Sequence, residues 1–388
     1  MTNPNLSRRA HLHQLALGAG LAFSGLMPAR LAMAGQADQK PATEQRLVVV
    51  LLRGALDGLA AVPAWGDPAW ASVRGRAETP TALALDNTFG MHPGLAHLHR
   101  WYQNKELSVV HAVASSYRER SHFDAQQQLE SGGDRPFALS TGWLGRALQA
   151  SKHSAVALSA AMPLALRGAD RAMTWTPSRR PNKSPDLLEG MANMYANDMA
   201  LTTALAQAME QQDKSMRAEP SAGAGLSALA KQAGNFLSAP LGPRVAWLEV
   251  GGWDTHSQQT ARLSRMLPAL DEALAGLRES LSVHWATTTV LVMTEFGRSA
   301  VWNGTQGTDH GTGGVAFLAG GQIDGGRVLT DWPGLGHRHM LDGRDLRPTQ
   351  DIRAVILPLV QRQFGLGSSA MQSVLPGATA SLDNVWRV

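Results

Sequence analysis

The segment Leu248-Glu249-Val250-Gly251-Gly252-Trp253-Asp254-Thr255-His256 closes an apolar run, Arg244 to Val250, on two glycines and then presents a carboxylate and an imidazole. Two other apolar runs end the same way. Leu47–Leu52 leads through Arg53 and Gly54 to Asp57, and Thr289–Thr294 leads to Glu295-Phe296-Gly297-Arg298. Near-continuous aliphatic runs of this length suit strands covered on both faces. Ligands of open α/β sheets collect beyond the carboxyl ends of parallel strands, so acids at three such ends are expected to converge.

Working outward, Leu107–Val113 and Val315–Ala319 read as further buried strands, and Ala155–Leu166 as one interrupted at Pro163. Helices are expected from His92 to Trp101, from Ser121 to Glu130 and from Asp351 to Phe364. Ser121 and Asp124 form an S-x-x-D capping pair at the second of these. Leu263, Met266, Leu267, Leu270, Leu274, Leu277 and Leu281 recur at three- and four-residue steps, which marks one face of a long helix containing Pro268. Residues 178–238 are rich in Ala, Met, Gln and Leu and read as a helical insertion. Strands alternating with helices predict one α/β domain over 35–388, with three layers and a mainly parallel central sheet between helices.

With 44% hydrophobic and 17% charged residues, the chain has the composition of a globular protein with a large core. Its formal charge of +4 rests largely on Arg8, Arg9 and Arg30, since residues 1–34 contain no acid. The near-neutral remainder, without a basic run interleaved with aromatics, argues against nucleic acid as a partner. The absence of cysteine excludes disulfides, thiolate metal sites and a cysteine nucleophile.

Ser7-Arg8-Arg9-Ala10-His11-Leu12 precedes an apolar run, Leu15 to Met27, and Ala32-Met33-Ala34 offers a small-x-small cleavage pattern. This is the layout of a twin-arginine signal over residues 1–34, cleaved after Ala34. It predicts the twin-arginine translocase as a partner during export and a periplasmic or extracellular destination. The apolar run is short of the roughly 20 residues a membrane span needs, and no other segment could span a bilayer.

Asp57, Asp254, His256, Glu295, Asp309 and His310 are hard oxygen and imidazole donors that follow buried strands or lie in glycine-rich loops. Such a set suits zinc, manganese, magnesium or calcium. A lone Asp after a strand is more often a helix cap. Ser121 has two readings, a cap or a nucleophile at a helix N-terminus, where free N–H groups favour an anion. Arg118, Arg120 and Arg298 are candidates to clamp a phosphate or sulfate. His122 and Asp124 are candidate ligands or acid–base groups. His92, His337 and His339 are weaker candidates, and Trp65, Trp70, Trp253, Trp302 and Trp332 read as packing around the loops.

Arg53-Gly54-Ala55-Leu56-Asp57-Gly58-Leu59, Arg120-Ser121-His122-Phe123-Asp124-Ala125-Gln126, Gly251 to His256, Thr294-Glu295-Phe296-Gly297-Arg298 and Gly307-Thr308-Asp309-His310-Gly311, after a twin-arginine signal, resemble the DUF1501 family. By similarity that family is grouped with the alkaline phosphatase–sulfatase superfamily, which implies an alkaline phosphatase-like fold with metal ligands at strand ends. Carried over by motif, the resemblance makes Asp57 the first-strand ligand, Ser121 the nucleophile, Asp254 and His256 an acid–histidine ligand pair, and His310 the late histidine. Asp309 stands beside it as a further ligand. Glu295 stands where the superfamily has an Asp-His pair, and Phe296 in the second place cannot bind a metal. One ion, or a rearranged pair drawing on Asp309 or His122, is therefore as open as two. The formylglycine route of sulfatases is disfavoured, because there is no Cys and no S-x-P-x-R. The resulting expectation is an exported hydrolase of a small-molecule or glycan phosphate or sulfate ester. It would depend on one or two ions of zinc, manganese or calcium, with Ser121, His122 and Arg298 in the chemistry and Arg118 and Arg120 on the anion. The alternative is a periplasmic binding or assembly protein that keeps its metal without catalysis.

Overall fold

A computed structural model of the chain describes residues 44–75, 82–177, 193–195, 198, 202, 225–379, 381–382 and 385–387. The signal read in residues 1–34 lies outside the described residues, as does most of the insertion expected over 178–238. Residues 1–40 and 177–222 group as a unit of their own, of which a helical turn at 193–195 is described.

The other unit is built on one sheet. In chain order its strands are β1 (Arg46–Leu52), a small separate hairpin of β2 (Leu83–Ala84) and β3 (Gly90–Met91), β4 (Leu107–Ala114), β5 (Ala155–Ala157), β6 (Ala172–Thr174), β7 (Val245–Val250), β8 (Thr288–Thr294), β9 (Gly314–Gly320), β10 (Arg327–Leu329) and β11 (Gln350–Asp351). The sheet runs β10-β4-β9-β8-β1-β7-β5-β6, with β11 also on β4. All its neighbours are parallel except those of β9, which runs against both β4 and β8. The strand expected within Ala155–Leu166 is three residues long, Ala155–Ala157, and ends before Pro163. Pro163 has no N–H to give a ladder, and Leu164–Leu166 winds into a 3-10 turn instead.

Besides two single turns, Gly58–Ala61 and Trp70–Val73, the longer helices of this unit are α1 (Ala96–Gln103), α2 (His122–Ser131), α3 (Trp143–Ser151), α4 (Leu226–Ser238), α5 (Gln259–Leu281), α6 (Ile352–Phe364) and α7 (Ser368–Val374). They cover both faces of the sheet, and β1 shows why. Its Val48, Val50 and Leu52 pack with Leu98 of α1, Ala233 of α4 and Leu270 of α5. Its Leu47, Val49 and Leu51 alternate onto the opposite face, with Leu144 of α3 and Ile356 of α6. All seven β1 residues are buried, and after Arg46, whose Nε donates to the Leu237 carbonyl, the six residues Leu47–Leu52 form the uninterrupted aliphatic run that such burial needs. The end of the expected insertion, Leu226–Ser238 (α4), lies against α5 and belongs to this core.

One buried polar group makes the fold sensitive to acid. His111 of β4 is fully buried, stacked 5.2 Å from Phe89, and donates from Nε2 to the Val62 carbonyl at 3.0 Å while Nδ1 accepts from Ala112 N at 2.8 Å. Burial pushes its imidazole down to about 4, against the partial opposition of the Val62 hydrogen bond. The unfolded chain therefore binds a proton, between pH 6.5 and 4, that the fold refuses. Stability is expected to fall as pH drops through that window, by roughly 3 kcal/mol from this group. Urea melts at pH 7 and pH 4.5 check it: His111→Gln should lose much less on acidification than the parent protein, and an equal loss would place the sensitivity elsewhere.

Candidate metal centre

Register brings the site together. Leu52 lies level with Val250 and with Thr294, so β1, β7 and β8 release their chains at one edge. The loops there approach closely. At Gly54, where φ is +113°, a Cβ would sit 2.5 Å from Asp254 N, and at Gly297 one would sit 1.9 Å from the Gly313 carbonyl oxygen. No larger residue fits either place without moving backbone.

At this edge His122, Asp254, His256 and His310 converge. His310 Nε2 is 3.0 Å from Nε2 of His122 and 3.0 Å from Nε2 of His256. The Asp254 carboxylate lies 3.0 Å from His256 Nε2, 3.4 Å from His310 Nε2 and 3.5 Å from His122 Nε2. Each imidazole has its other nitrogen committed. His122 Nδ1 donates to Glu295 at 2.8 Å, His256 Nδ1 to Asp309 at 3.2 Å, and His310 Nδ1 to the Arg120 carbonyl at 2.9 Å. Those acceptors fix the tautomer that leaves a lone pair on every Nε2. Lone pairs facing one another at 3.0 Å repel, and a cation between them turns that repulsion into coordination. Donors about 2.0–2.1 Å from a tetrahedral ion stand roughly 3.3–3.4 Å apart, which the spacings among His122, Asp254 and His310 approach, with His256 alongside against His310 and Asp254. Charge agrees as well. Asp254, Glu295 and Asp309 bring three negative charges and Arg298 one positive, leaving two for a divalent ion to balance. The residues fit a metal.

The surroundings hold the donors still. Burial alone would raise the Asp254 carboxyl, but the Arg298 guanidinium against Oδ1, helped by His256 and His122, holds it below the usual carboxylate range. Glu295 is also held low despite burial, by His122, Gln126 and the Gly54 N–H. Burial, with His122 beside it, pushes the His310 imidazole down, toward the neutral form a ligand needs. The Phe296 ring stacks on His122 at 4.8 Å and lies 5.5 Å from His310, so this residue, unable to bind an ion, supports two that can.

The structure brings five of the six residues expected to bind metal, Asp254, His256, Glu295, Asp309 and His310, to one place in two layers. Asp254, His256 and His310 face the centre, whereas Glu295 and Asp309 stand behind imidazoles and orient them. His122, read from the sequence as a catalytic group or ligand, stands with the donors. Asp57 is placed elsewhere. Its oxygens take Arg74 at 2.7 and 3.0 Å, Gln259 Nε2 at 2.6 Å and the Leu59 and Ala60 N–H groups of a short helical turn it caps.

The arginines are engaged within the protein. Arg118 donates to the Ser115 and Tyr117 carbonyls, and Arg120 reaches Asp345 at 2.9 Å and Asp342 at 3.0 Å. Arg298, fully buried, donates to Asp254 and the Thr308 carbonyl. Ser121 is the residue before α2, but its hydroxyl makes no cap hydrogen bond, and Asp124 accepts from Tyr117 Oη at 3.2 Å instead of closing a capping box. Arg120, just before it, has φ +59°, an uncommon conformation for a residue with a Cβ, and presents its carbonyl to His310. Gln126, Arg74 and Asn303 were not singled out in the sequence. Gln126 lies four residues after His122, the helical spacing that carries both side chains to Glu295. Arg74 and Asn303 have no such local signal.

Residues 109–375 match the family described as "Protein of unknown function (DUF1501)". The chain belongs to the DUF1501 family. The matched span contains the four converging donors and both supporting carboxylates. No curated protein matches the sequence. Among solved structures, it is similar to the C-terminal periplasmic domain of EcEptC from Escherichia coli in complex with Zn, at 11% identity and TM-score 0.39, over 73% of this chain and 74% of that one. It is also similar to human ectonucleotide pyrophosphatase/phosphodiesterase 5, at 10% identity and TM-score 0.34, over 65% of this chain and 57% of that one. A third similar structure is a 2-O GAG sulfatase, at 10% identity and TM-score 0.41, over 88% of this chain and 76% of that one. Among the described residues of this DUF1501 protein, no helix is long and apolar enough to cross a membrane.

Proposed function

We propose that the chain is a metal-dependent hydrolase of phosphate or sulfate esters, exported by the twin-arginine route and acting outside the cytoplasm. The observation that carries this is the convergence of three imidazole Nε2 atoms and one carboxylate where solvent can reach them, His256 and Asp254 having side chains 46% and 41% exposed. His122, Asp254, His256 and His310 would hold one divalent ion, zinc suiting the nitrogen-rich set best, with manganese and calcium as alternatives. Arg298 favours one ion over two, because its fixed positive charge already lies against the Asp254 carboxylate. When bound, the ion supplies Lewis-acid polarisation of the ester oxygen.

The chain's own residues supply the rest. Ser121 is the nucleophile, its hydroxyl uncommitted to capping and its neighbour His122 a donor of the centre. The free first-turn N–H groups of α2 favour the negative charge that builds as the Ser121 oxygen, losing its proton to water, bonds to phosphorus or sulfur and the ester oxygen leaves with its bonding pair and takes a proton from water. A second water then cleaves the seryl ester and restores Ser121. Arg120 positions rather than clamps: its carbonyl orients His310, while its guanidinium is held by Asp345 and Asp342.

Four protein donors also suit an ion kept for structure, which favours a periplasmic binding or assembly protein as the second reading. One experiment separates them. Zinc-loaded protein is expected to hydrolyse an aryl phosphate or aryl sulfate, and Ser121→Ala to abolish this while keeping its zinc. Hydrolysis that survives the substitution overturns the nucleophile, and a loaded protein inert toward both esters favours the second reading.

A further inference from the structure

We infer that Arg344, at the tip of a tight hairpin against His310, binds the anionic oxygens of the ester. The inference rests on the hydrolase reading above and names the residue that holds its substrate. Once a divalent ion balances Asp254, Glu295, Asp309 and Arg298, the centre has no positive charge left for an arriving phosphate or sulfate. Among the described residues, three guanidinium groups are hydrogen-bonded to donors of the centre. Arg298 is fully buried against Asp254 and Thr308, and Arg262 gives both terminal nitrogens to the Asp254 and Gly252 carbonyls. Arg344 is the third, and it keeps a terminal nitrogen uncommitted.

The chain delivers Arg344 to a fixed place. Leu341 and Asp345 exchange backbone hydrogen bonds of 2.9 and 3.0 Å around Asp342, Gly343 and Arg344. Asp342 and Gly343 have φ +54° and +64°, which an Asp-Gly turn accommodates. From there Arg344 Nη2 donates to the His310 carbonyl, and Nε donates to Asp345 at 2.8 Å. Arg120, the residue before Ser121, reaches the same Asp345 at 2.9 Å, and its carbonyl takes the His310 Nδ1–H at 2.9 Å. Arg344 therefore grips His310 by its backbone and the Ser121 segment grips it by its ring, so the cation and the nucleophile's chain meet at one donor. Asp345 is fully buried and divides one charge between the two guanidinium groups, and Arg120 has Asp342 besides. The field of Arg344 reaches the centre as well: after Asn303 and His256, and against burial, it helps hold the Asp309 carboxyl below the usual range. Its side chain is 40% exposed, and Nη1 makes no hydrogen bond among the described residues. A guanidinium anchored through two of its nitrogens is already ordered for an oxyanion at the third.

The test is calorimetric titration of the zinc-loaded full chain with inorganic phosphate and with sulfate, alongside its zinc content. Arg344→Gln is expected to weaken binding of the anion by roughly tenfold or more while zinc content stays as it was. Arg344→Lys, which keeps the charge without the fork, should fall between that variant and the parent protein. Arg347→Gln removes the same charge three residues along, where the guanidinium serves the His339 and Met340 carbonyls, and should bind as the parent does. Parental affinity in Arg344→Gln overturns the assignment and leaves the hydrolase reading standing. An equal loss in Arg347→Gln also overturns it, since surface charge alone would then be responsible. Loss of zinc in both Arg344 variants overturns it too, by making the residue a support for the His310 loop. Binding of neither anion by the loaded parent protein overturns the hydrolase reading and Arg344 with it, an outcome distinct from the others.

Discussion

Replacing Asp57 with Ala is expected to destabilise the fold by about 3–5 kcal/mol, with roughly 1 kcal/mol more from the lost cap, while zinc affinity stays as it was. Asp57 and Arg74 are paired by two hydrogen bonds with side chains 1% and 0% exposed, so removing the carboxylate strands a guanidinium away from water. Arg74 would keep only the Ser299 carbonyl at 3.2 Å and the face of Trp302, 5.3 Å away. Neither neutralises its charge. A double variant, Asp57→Ala with Arg74→Met, should recover much of the loss because both charges leave together. Denaturant unfolding reads the effect. A loss below 1 kcal/mol, or a folded Asp57→Ala protein that no longer takes up zinc, would show that Asp57 serves the centre after all.

His310→Ala is expected to weaken zinc binding by roughly 10²- to 10³-fold with little change in the metal-free fold. Structural zinc sites bind with about 10–16 kcal/mol, so each of four ligands accounts for roughly 2.5–4 kcal/mol. His310 has the most central place, since its Nε2 lies within 3.4 Å of His122, His256 and Asp254. Asp309→Asn should cost less, about tenfold, because Asp309 acts through the His256 ring. Competition against a chromophoric chelator measures both. Equal affinities in His310→Ala and the parent protein would exclude His310 as a ligand.

The strands were legible because burial on both faces makes them mostly aliphatic, with few buried polar residues such as His111 among them. β1, β4 and β7 each differ from the expected run by one residue at an end. The layering of the site was not legible. Asp57, Asp254 and Glu295 present the same local pattern, an acid just after a buried strand, yet one caps a helix, one faces the centre and one orients an imidazole. What separates them is a partner distant in sequence: Arg74 for Asp57, Arg298 for Asp254, His122 for Glu295. Spacing along a chain cannot announce such partners. The S-x-x-D pair at Ser121 failed as a capping box for a related reason, since Tyr117 reaches Asp124 from the preceding loop. His122 illustrates the converse. As a histidine in a first helical turn it has an ordinary local context, and only the approach of His310 and Asp254 makes it a donor.

The most direct test is elemental analysis by mass spectrometry, on protein purified without chelators or metal-affinity resin and then dialysed against zinc. The arrangement of His122, Asp254, His256 and His310, with Arg298 against the carboxylate, predicts one divalent ion per chain, held less tightly and at lower occupancy in His122→Ala and in His310→Ala. No metal after reconstitution, or two ions retained per chain, would contradict it.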